Sequence, residues 1–153
     1  MPITISQLKK KVDFAKKGTE QETARIILEF EQQILDLVRE KQLYDKGIDG
    51  KGVSLKPYSP FTVAYKKGKG DKFSNTTLED TGNFYKSFQT DYGSFELEIF
   101  ATDSKTPKLT EVYGENIFLI TTENQKELSE KIIRPNLFKY FDKIFKWFLY
   151  SEK

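Results

Sequence analysis

The chain has 153 residues, the size of a single domain with its own core, and 37% of them are hydrophobic, as in ordinary globular proteins. It contains no cysteine and no histidine, which excludes disulfides, the usual zinc sites and catalytic triads with an imidazole base. An enzyme built from this sequence would depend on carboxylates, lysine, tyrosine or a metal ion held by oxygen.

The net charge of +2 combines blocks of unlike charge. Residues 1–40 carry 7 basic and 7 acidic side chains, and residues 41–72 carry 8 lysines against 3 aspartates. Residues 73–130 have 4 lysines and 11 acids, whereas residues 131–153 have 6 basic side chains and 2 acids. A basic loop, an acidic middle and a basic tail are either separate solvated faces or complementary surfaces of neighbouring copies.

Two helices are predicted at the N terminus. Residues 1–18 form a basic amphipathic helix, with Ile5, Leu8 and Val12 at helical spacing and Gly18 at its end. Thr19 and Glu22 then form a capping box for a second helix that runs to about Leu43. Its apolar stripe predicts a core face: Ile26, Ile27, Phe30, Ile34, Leu37 and Val38. The N terminus has no apolar run of a signal peptide, and no segment is apolar for long enough to span a membrane, so we expect a soluble protein.

Two flexible loops are predicted next, at residues 44–59 and 66–77, because both are rich in glycine and lysine and have no sustained period. Long loops of this kind are usually functional or mobile. Between them, Ser59 is an N-cap and Pro60 the first residue of a short helix.

The segment TLEDTGNFYKSF predicts a helix capped by Asp80 or Thr81, with Phe84, Tyr85 and Phe88 facing inward. In FQTDYGSFELEIFATD, a turn at DYGS is followed by an alternation that predicts an antiparallel strand pair with one solvated face. The inward residues of this alternation are Phe95, Leu97, Ile99 and Ala101, and the outward residues are Glu96, Glu98 and Phe100. Phe100 on the solvated face requires a cover, either from the chain itself or from a partner.

The remaining sequence predicts a short helix or turn ending at Gly114, a brief apolar strand or extended segment at NIFLITT, a helix at residues 124–133 and a restart at Arg134-Pro135. Residues 134–153 form an aromatic C-terminal helix, in which Leu137, Phe141, Ile144 and Phe148 share one face. That face is either core or a docking surface, with a membrane-surface helix as a third interpretation. Together the elements predict one α+β domain, residues 1–153, with long N-terminal helices and the aromatic C-terminal helix packed around a small antiparallel sheet.

No catalytic or metal-binding pattern is found among the chemical motifs. DKGIDGKGVSLK has the spacing of a calcium loop but carries Lys56 where a bidentate glutamate is needed, and GIDGKGV lacks the Lys-Ser/Thr of a phosphate loop. Glu96 and Glu98 on a strand, and the neighbours Glu79 and Asp80, are typical of solvated surfaces. We therefore expect no catalytic residue, no metal and no cofactor.

The stretch YSPFTVAYKKGKGDKFSNTTLEDTGNFYKSF, together with the following residues to Gly114, resembles tailed-phage virion-morphogenesis and tail-completion proteins. Their pattern combines a Pro-containing helix start followed by a lysine with a later L-x-x-TG segment that leads into strands. The matching positions are Tyr58, Ser59, Pro60, Thr62, Lys66, Leu78, Thr81, Gly82, Phe84, Ser87 and Gly114. The resemblance implies a small α+β protein without catalytic residues that forms a homo-oligomeric ring in the head-tail neck or tail-completion region. It would be assembled in the bacterial host cytoplasm, and its partners would be other copies and neighbouring virion proteins.

The charge blocks and exposed rings supply candidate assembly contacts: Lys46, Lys51, Lys56, Lys67, Lys69, Glu96, Glu98, Phe100 and Trp147. The alternative hypothesis is a small nucleic-acid-binding module that uses the lysine-rich loops and the basic tail, although lysine without arginine reads bases poorly. A carboxylate enzyme is a third and weaker hypothesis. Membrane association is not expected.

Overall fold

The computed structural model describes residues 5–150, except for the side chains of residues 7, 8 and 148–150. As predicted, the fold is α+β: it is mostly helical (65%), with one two-stranded antiparallel sheet among the described residues. The expectations for residues 1–4 and 151–153, and for the side chains of Leu8 and Phe148, lie outside the described residues.

The N-terminal helices follow one another with almost no interruption. Helix α1 spans Ile5–Glu29 and α2 spans Glu31–Asp36, and the amide of Ile34 bonds to the carbonyl of Phe30 at 3.0 Å across the junction. A π-helical segment, Leu37–Lys46, continues from α2 and ends at Gly47, which has a φ of 62°. The predicted core face is confirmed, since its aliphatic members are buried: Ile26, Ile27, Ile34, Leu37 and Val38, with Leu35 beside them.

Gly18 does not end a helix, so this prediction was wrong. The residue lies inside α1, and Thr19 is not an N-cap because its hydroxyl donates to the carbonyl of Ala15 at 2.7 Å. The glycine instead makes room for the C-terminal helix, since a Cβ at this position would lie 2.2 Å from the hydroxyl oxygen of Tyr140. Glycine serves both helix ends and close helix contacts, and local sequence does not distinguish the two.

We expect Gly18→Ala to have opposite effects with and without the Tyr140 hydroxyl. In a Tyr140→Phe background the new methyl group meets only the ring carbon Cζ at 3.4 Å, an ordinary contact. Alanine should then raise the free energy of unfolding by about 0.5–1 kcal/mol through its higher helix propensity. With tyrosine present the ring must move, and this gain should disappear. Chemical denaturation of the four chains in a double-mutant cycle measures the difference, and equal effects in both backgrounds would contradict the contact.

Helix α3 spans Pro60–Lys69, and the predicted cap is confirmed: the Ser59 hydroxyl accepts from the amide of Thr62 at 3.2 Å. The helix is longer than predicted and ends at Gly70, which has a φ of 76°. Residues 66–69, expected to begin the second loop, are therefore helical. Three lysines in its last turn suit the negative end of the helix dipole.

A short helix α4, Asn83–Lys86, leads into the hairpin of β1, Phe88–Gly93, and β2, Glu96–Ala101. The hairpin turns at Ser94 and Phe95, not at DYGS, and both residues have positive φ, 52° and 62°. This two-residue turn places Phe95 at an exposed tip, which corrects its predicted inward position. The rest of the predicted antiparallel pairing is confirmed.

The C-terminal part is helical throughout, apart from short connections. It comprises α5, Thr106–Tyr113, a 3₁₀ turn, Glu115–Phe118, α6, Thr122–Glu127, a π-helical segment, Leu128–Ile133, and α7, Arg134–Tyr150. The helix ending at Gly114 is confirmed, but the extended segment at NIFLITT begins as the 3₁₀ turn. A new helix begins at Arg134, as predicted, but it follows without a break from the wider π-helical turn, which can accommodate a proline.

Buried polar contacts join the two ends of the chain. The side-chain amide of Gln42 donates to the carbonyl of Leu119 at 2.9 Å and accepts from the amide of Thr121 at 2.8 Å. Asn124 donates to the carbonyl of Leu37 at 2.7 Å. The backbone hydrogen bonding of a π-helix differs from that of an α-helix. The side chains of Gln42 and Asn124 provide hydrogen bonds to backbone carbonyl and amide groups in the core.

The two edges of the hairpin have different environments. The outer edge of β1 lies against the N-terminal helices, where Glu31 accepts from the amide and the hydroxyl of Thr90 at 3.0 and 2.9 Å. In the register that pairs Gly93 with Glu96, the backbone carbonyls of Leu97 and Ile99 point away from β1. Within residues 5–150 the sheet has two strands, so no described strand pairs with the outer edge of β2.

Candidate assembly surfaces

The motif positions between Tyr58 and Ser87 meet around a buried lysine. Lys66 of α3 is only 4% exposed, and its ammonium donates to the carbonyl of Glu79 and lies 5.3 Å from the centre of the Tyr58 ring. A buried charge is unfavourable without such partners. Lys66 therefore fixes α3 to the segment that precedes α4.

Two tyrosines hold the same segment from both sides. The Tyr58 hydroxyl accepts from the amide of Thr77 at 3.0 Å, and the Tyr85 hydroxyl donates to the carbonyl of the same residue. Burial raises the pKa of Tyr85, so its hydroxyl keeps the proton that it donates. Thr77 is fully buried, and its surroundings are structural.

The start of α4 depends on Thr81 and Gly82. Gly82 has a φ of 78°, and the Thr81 hydroxyl accepts a long bond of 3.4 Å from the amide of Asn83. The N-cap of α4 is Gly82, which has no side chain, so the predicted cap at Asp80 or Thr81 was wrong. The Asp80 carboxylate instead lies 3.3 Å from the ammonium groups of both Lys69 and Lys105. The hydrogen bond from Lys69 is the main cause that lowers the pKa of Asp80.

The predicted ring cluster is confirmed as part of the core. Phe84 and Phe88 lie 5.0 Å apart between ring centres, and Phe118 lies 5.4 Å from Phe88. Ser87 donates to the carbonyl of Phe84 at 2.8 Å, and Gly114 adopts a φ of 80° between α5 and the 3₁₀ turn. Leu78 is buried, and Ser59, Pro60 and Thr62 form the start of α3. The motif residues thus form a structural unit.

Several lysines of the two predicted loops make contacts within the chain, and two of them, Lys46 and Lys69, lie at the ends of helical segments. Lys46 pairs with Glu123 at 2.7 Å, Lys69 pairs with Asp71 at 3.1 Å, and the ammonium of Lys72 donates to the carbonyl of Tyr44 at 2.7 Å. The other candidate contacts in this basic region, Lys51, Lys56 and Lys67, are exposed. The two loops are therefore less available as a cationic surface than their composition suggests.

The calcium-like loop folds on itself. The Asp49 carboxylate accepts from the amides of Lys51 and Val53, both at 2.9 Å, and the amide of Gly50 donates to the carbonyl of Asn116 at 2.8 Å. A Cβ on Gly50 would lie 2.3 Å from the carbonyl oxygen of Leu119, so the loop lies tightly against that residue. Within residues 5–150, no group of three or more acidic side chains is placed to hold a metal ion.

An open cleft of about 1410 Å³ follows the outer edge of β2 and is bounded on the other side by α5 and the 3₁₀ turn. We call it the acidic cleft. No lysine or arginine lines it, and its charged residues are Asp91, Glu96, Glu98, Asp103 and Glu115. Two predicted contacts, Glu96 and Glu98, are thus brought together with three acids that sequence reasoning did not single out.

The acidic cleft also has apolar lining. Phe100, a predicted contact, is half-buried, so the chain covers it in part, and Leu119 is 50% exposed nearby. Asp91 stands directly opposite Glu98 in the hairpin register. Like charges directly opposite each other in a hairpin are destabilising.

A second surface is formed by residues 5–17 of α1 and 138–150 of α7, which we call the basic arm. The two helices meet where Gly18 contacts Tyr140, and among the described side chains none N-terminal to Ile26 in α1, and none in α7, is buried. The arm carries eight lysines and two aspartates. Its exposed rings are Phe14, Phe138, Phe145 and Trp147. The wide stripe predicted for the C-terminal helix is therefore only partly covered by the chain.

The fold and these two surfaces define an α+β protein with an acidic cleft and a basic aromatic arm. Within residues 5–150, no helix has the length and apolarity needed to cross a membrane. No family model matches the chain, and the comparisons with curated proteins and with solved structures likewise give no match.

Proposed function

We propose that the chain is a structural protein of a tailed-phage virion that forms a ring in the head-tail neck or tail-completion region. The resemblance of residues Tyr58 to Gly114 to virion-morphogenesis and tail-completion proteins supports this proposal. The observation that carries it is the presence on one chain of two separate surfaces with opposite charge, the acidic cleft and the basic arm. Different surfaces that complement each other are what a ring of identical subunits requires.

The proposed role is non-enzymatic and needs no cofactor. The carboxylates of Glu96 and Glu98 are exposed to water, whereas acid catalysis requires a carboxyl group whose pKa is raised by burial. The partners in this proposal are other copies of the chain and adjacent virion proteins, assembled in the cytoplasm of a bacterial host.

A nucleic-acid-binding module is the second candidate, and the eight lysines of the basic arm favour it. This alternative requires an affinity for DNA that falls steeply with added salt, because each phosphate contact releases counterions. The acidic cleft has no role in it.

Assembly can be tested by light scattering coupled to size exclusion at several protein concentrations, together with electron microscopy of the largest species. We expect closed rings of uniform diameter whose population rises with concentration. Fluorescence anisotropy with a short DNA duplex, measured over a salt series, provides the comparison. A monomer that binds DNA with a steep salt dependence would contradict the ring and support the nucleic-acid module.

A further inference from the structure

We propose that copies of this chain associate head to tail, with the basic arm of one copy inserted into the acidic cleft of the next. The proposal rests on the ring proposed above and names the two surfaces that form its repeating contact. The occupant of the acidic cleft is therefore a second copy of this chain.

Charge is the first reason for this pairing. All five charged residues lining the acidic cleft are acids, and the basic arm has an excess of six positive charges. The pairing of Asp91 opposite Glu98 is unfavourable in a free subunit, and lysines from another copy would relieve it. The outward carbonyls of Leu97 and Ile99 add acceptors at the edge of the cleft. Lys66 and Lys72 already donate to carbonyls in the same way within the chain.

Size is the second reason. An α-helix with its side chains is about 10–12 Å wide, so one turn occupies roughly 500 Å³. A cleft of about 1410 Å³ has room for part of a helix but not for a folded domain. The volume corresponds to roughly three helical turns, so the cleft can take the end of one helix of the basic arm.

Apolar contacts are the third reason, since exposed ion pairs alone contribute little affinity. The basic arm exposes Phe14, Phe138 and Phe145, each at 60% or more. The acidic cleft offers Phe100 and Leu119 as apolar surface. Rings that enter a partly apolar cleft are the kind of contact that dominates protein interfaces.

The packing of the hairpin favours a contact between subunits. Helices α1 and α2 pack against β1, whereas the acidic cleft follows the outer edge of β2. The contact is between different surfaces of two copies, and such contacts either close into rings or continue as filaments.

Charge reversal of each surface tests the proposal. The arm variant is Lys10→Glu/Lys16→Glu/Lys143→Glu and the cleft variant is Glu96→Lys/Glu98→Lys. All five residues are exposed. Each variant should weaken self-association at least tenfold in sedimentation equilibrium. Matched controls change the same charge elsewhere, at exposed residues outside both surfaces: Lys86→Glu/Lys108→Glu/Lys126→Glu for the arm and Glu111→Lys/Glu130→Lys for the cleft. The controls should stay within threefold of the wild-type chain. Circular dichroism and thermal melts check that each chain is folded, and single substitutions replace any variant that is not.

A mixture of the two variants gives the sharpest result. The cleft variant retains an intact arm and the arm variant retains an intact cleft, so together they should form a one-to-one heterodimer that grows no further. A chain that carries both sets of changes should stay monomeric, because its arm then has five lysines and five acids and its cleft has three acids and two lysines.

Three results would overturn the arm-to-cleft contact. One is a mixture of folded variants that remains monomeric, and another is a wild-type chain that remains monomeric up to about 1 mM. The third is a ring that forms equally well in both variants. That last result would remove this contact while leaving the proposed ring function in place.

Discussion

Replacing Gln42 with leucine is expected to lower the free energy of unfolding by about 3 kcal/mol. The side chain is fully buried and is a hydrogen-bond partner of the Leu119 carbonyl and the Thr121 amide. Leucine fills a similar volume but leaves both groups without that partner, and each unsatisfied buried group costs about 1–3 kcal/mol. Urea denaturation followed by circular dichroism measures the change.

Gln33→Leu is the matched control, because Gln33 lies in the same run of helices but is exposed. A surface substitution of this kind should change the free energy of unfolding by less than about 0.5 kcal/mol. If the two substitutions had the same effect, the contacts of Gln42 with Leu119 and Thr121 would not contribute to stability.

Lys66→Met is expected to be the second most damaging change, with a loss of about 2 kcal/mol in the free energy of unfolding. Methionine keeps the apolar part of the buried side chain but removes the hydrogen bond to the Glu79 carbonyl and the contact with the Tyr58 ring. Hydrogen bonds to charged groups contribute about 1.5–3 kcal/mol, and cation–π contacts contribute further. Thermal and chemical denaturation of the purified variant measure the loss.

The neighbouring Lys67 supplies the control, since it has the same side chain on the same helix and is exposed. Lys67→Met should leave stability nearly unchanged. DNA affinity provides an independent readout: Lys66→Met should not change it in the folded protein, because a buried ammonium is not available to phosphates. A loss of DNA affinity with unchanged stability would mean that Lys66 acts in binding and not in structure.

Elements controlled by neighbouring residues were predicted well. The stripe from Ile26 to Val38 was recognised as core because periodic burial repeats every turn of a helix. Ser59 and Pro60 were recognised as a helix start because an N-cap is a contact between residues three apart in sequence. The Phe84, Tyr85 and Phe88 cluster was recognised for the same reason.

The failures occurred where a distant residue determines the conformation. Glycine is typical of helix ends, but Gly18 lies inside a helix and makes room for Tyr140 from the other end of the chain. Pro135 indicates a break, yet the wider turn at Leu128–Ile133 lets the helix continue. The hairpin turn lies two residues later than predicted. Its central residues, Ser94 and Phe95, adopt positive φ although neither is a glycine. Gln42 was not recognised as a core residue, since a polar side chain inside an amphipathic pattern is normally exposed.

The sequence by itself determined how charge is distributed along the chain, the absence of histidine and cysteine, the order of the main helices and the identity of their apolar faces. These properties depend on the residue types or on contacts within a few positions. Only the tertiary structure decided which charges act together, because Asp91 and Glu98 are aligned by the hairpin register, and Asp103 and Glu115 reach the same cleft from separate segments. Likewise, the basic arm combines residues from both ends of the chain, since Gly18 permits close contact with the helix that carries Tyr140. Electrostatic potential depends on distances in space, and those distances follow from packing.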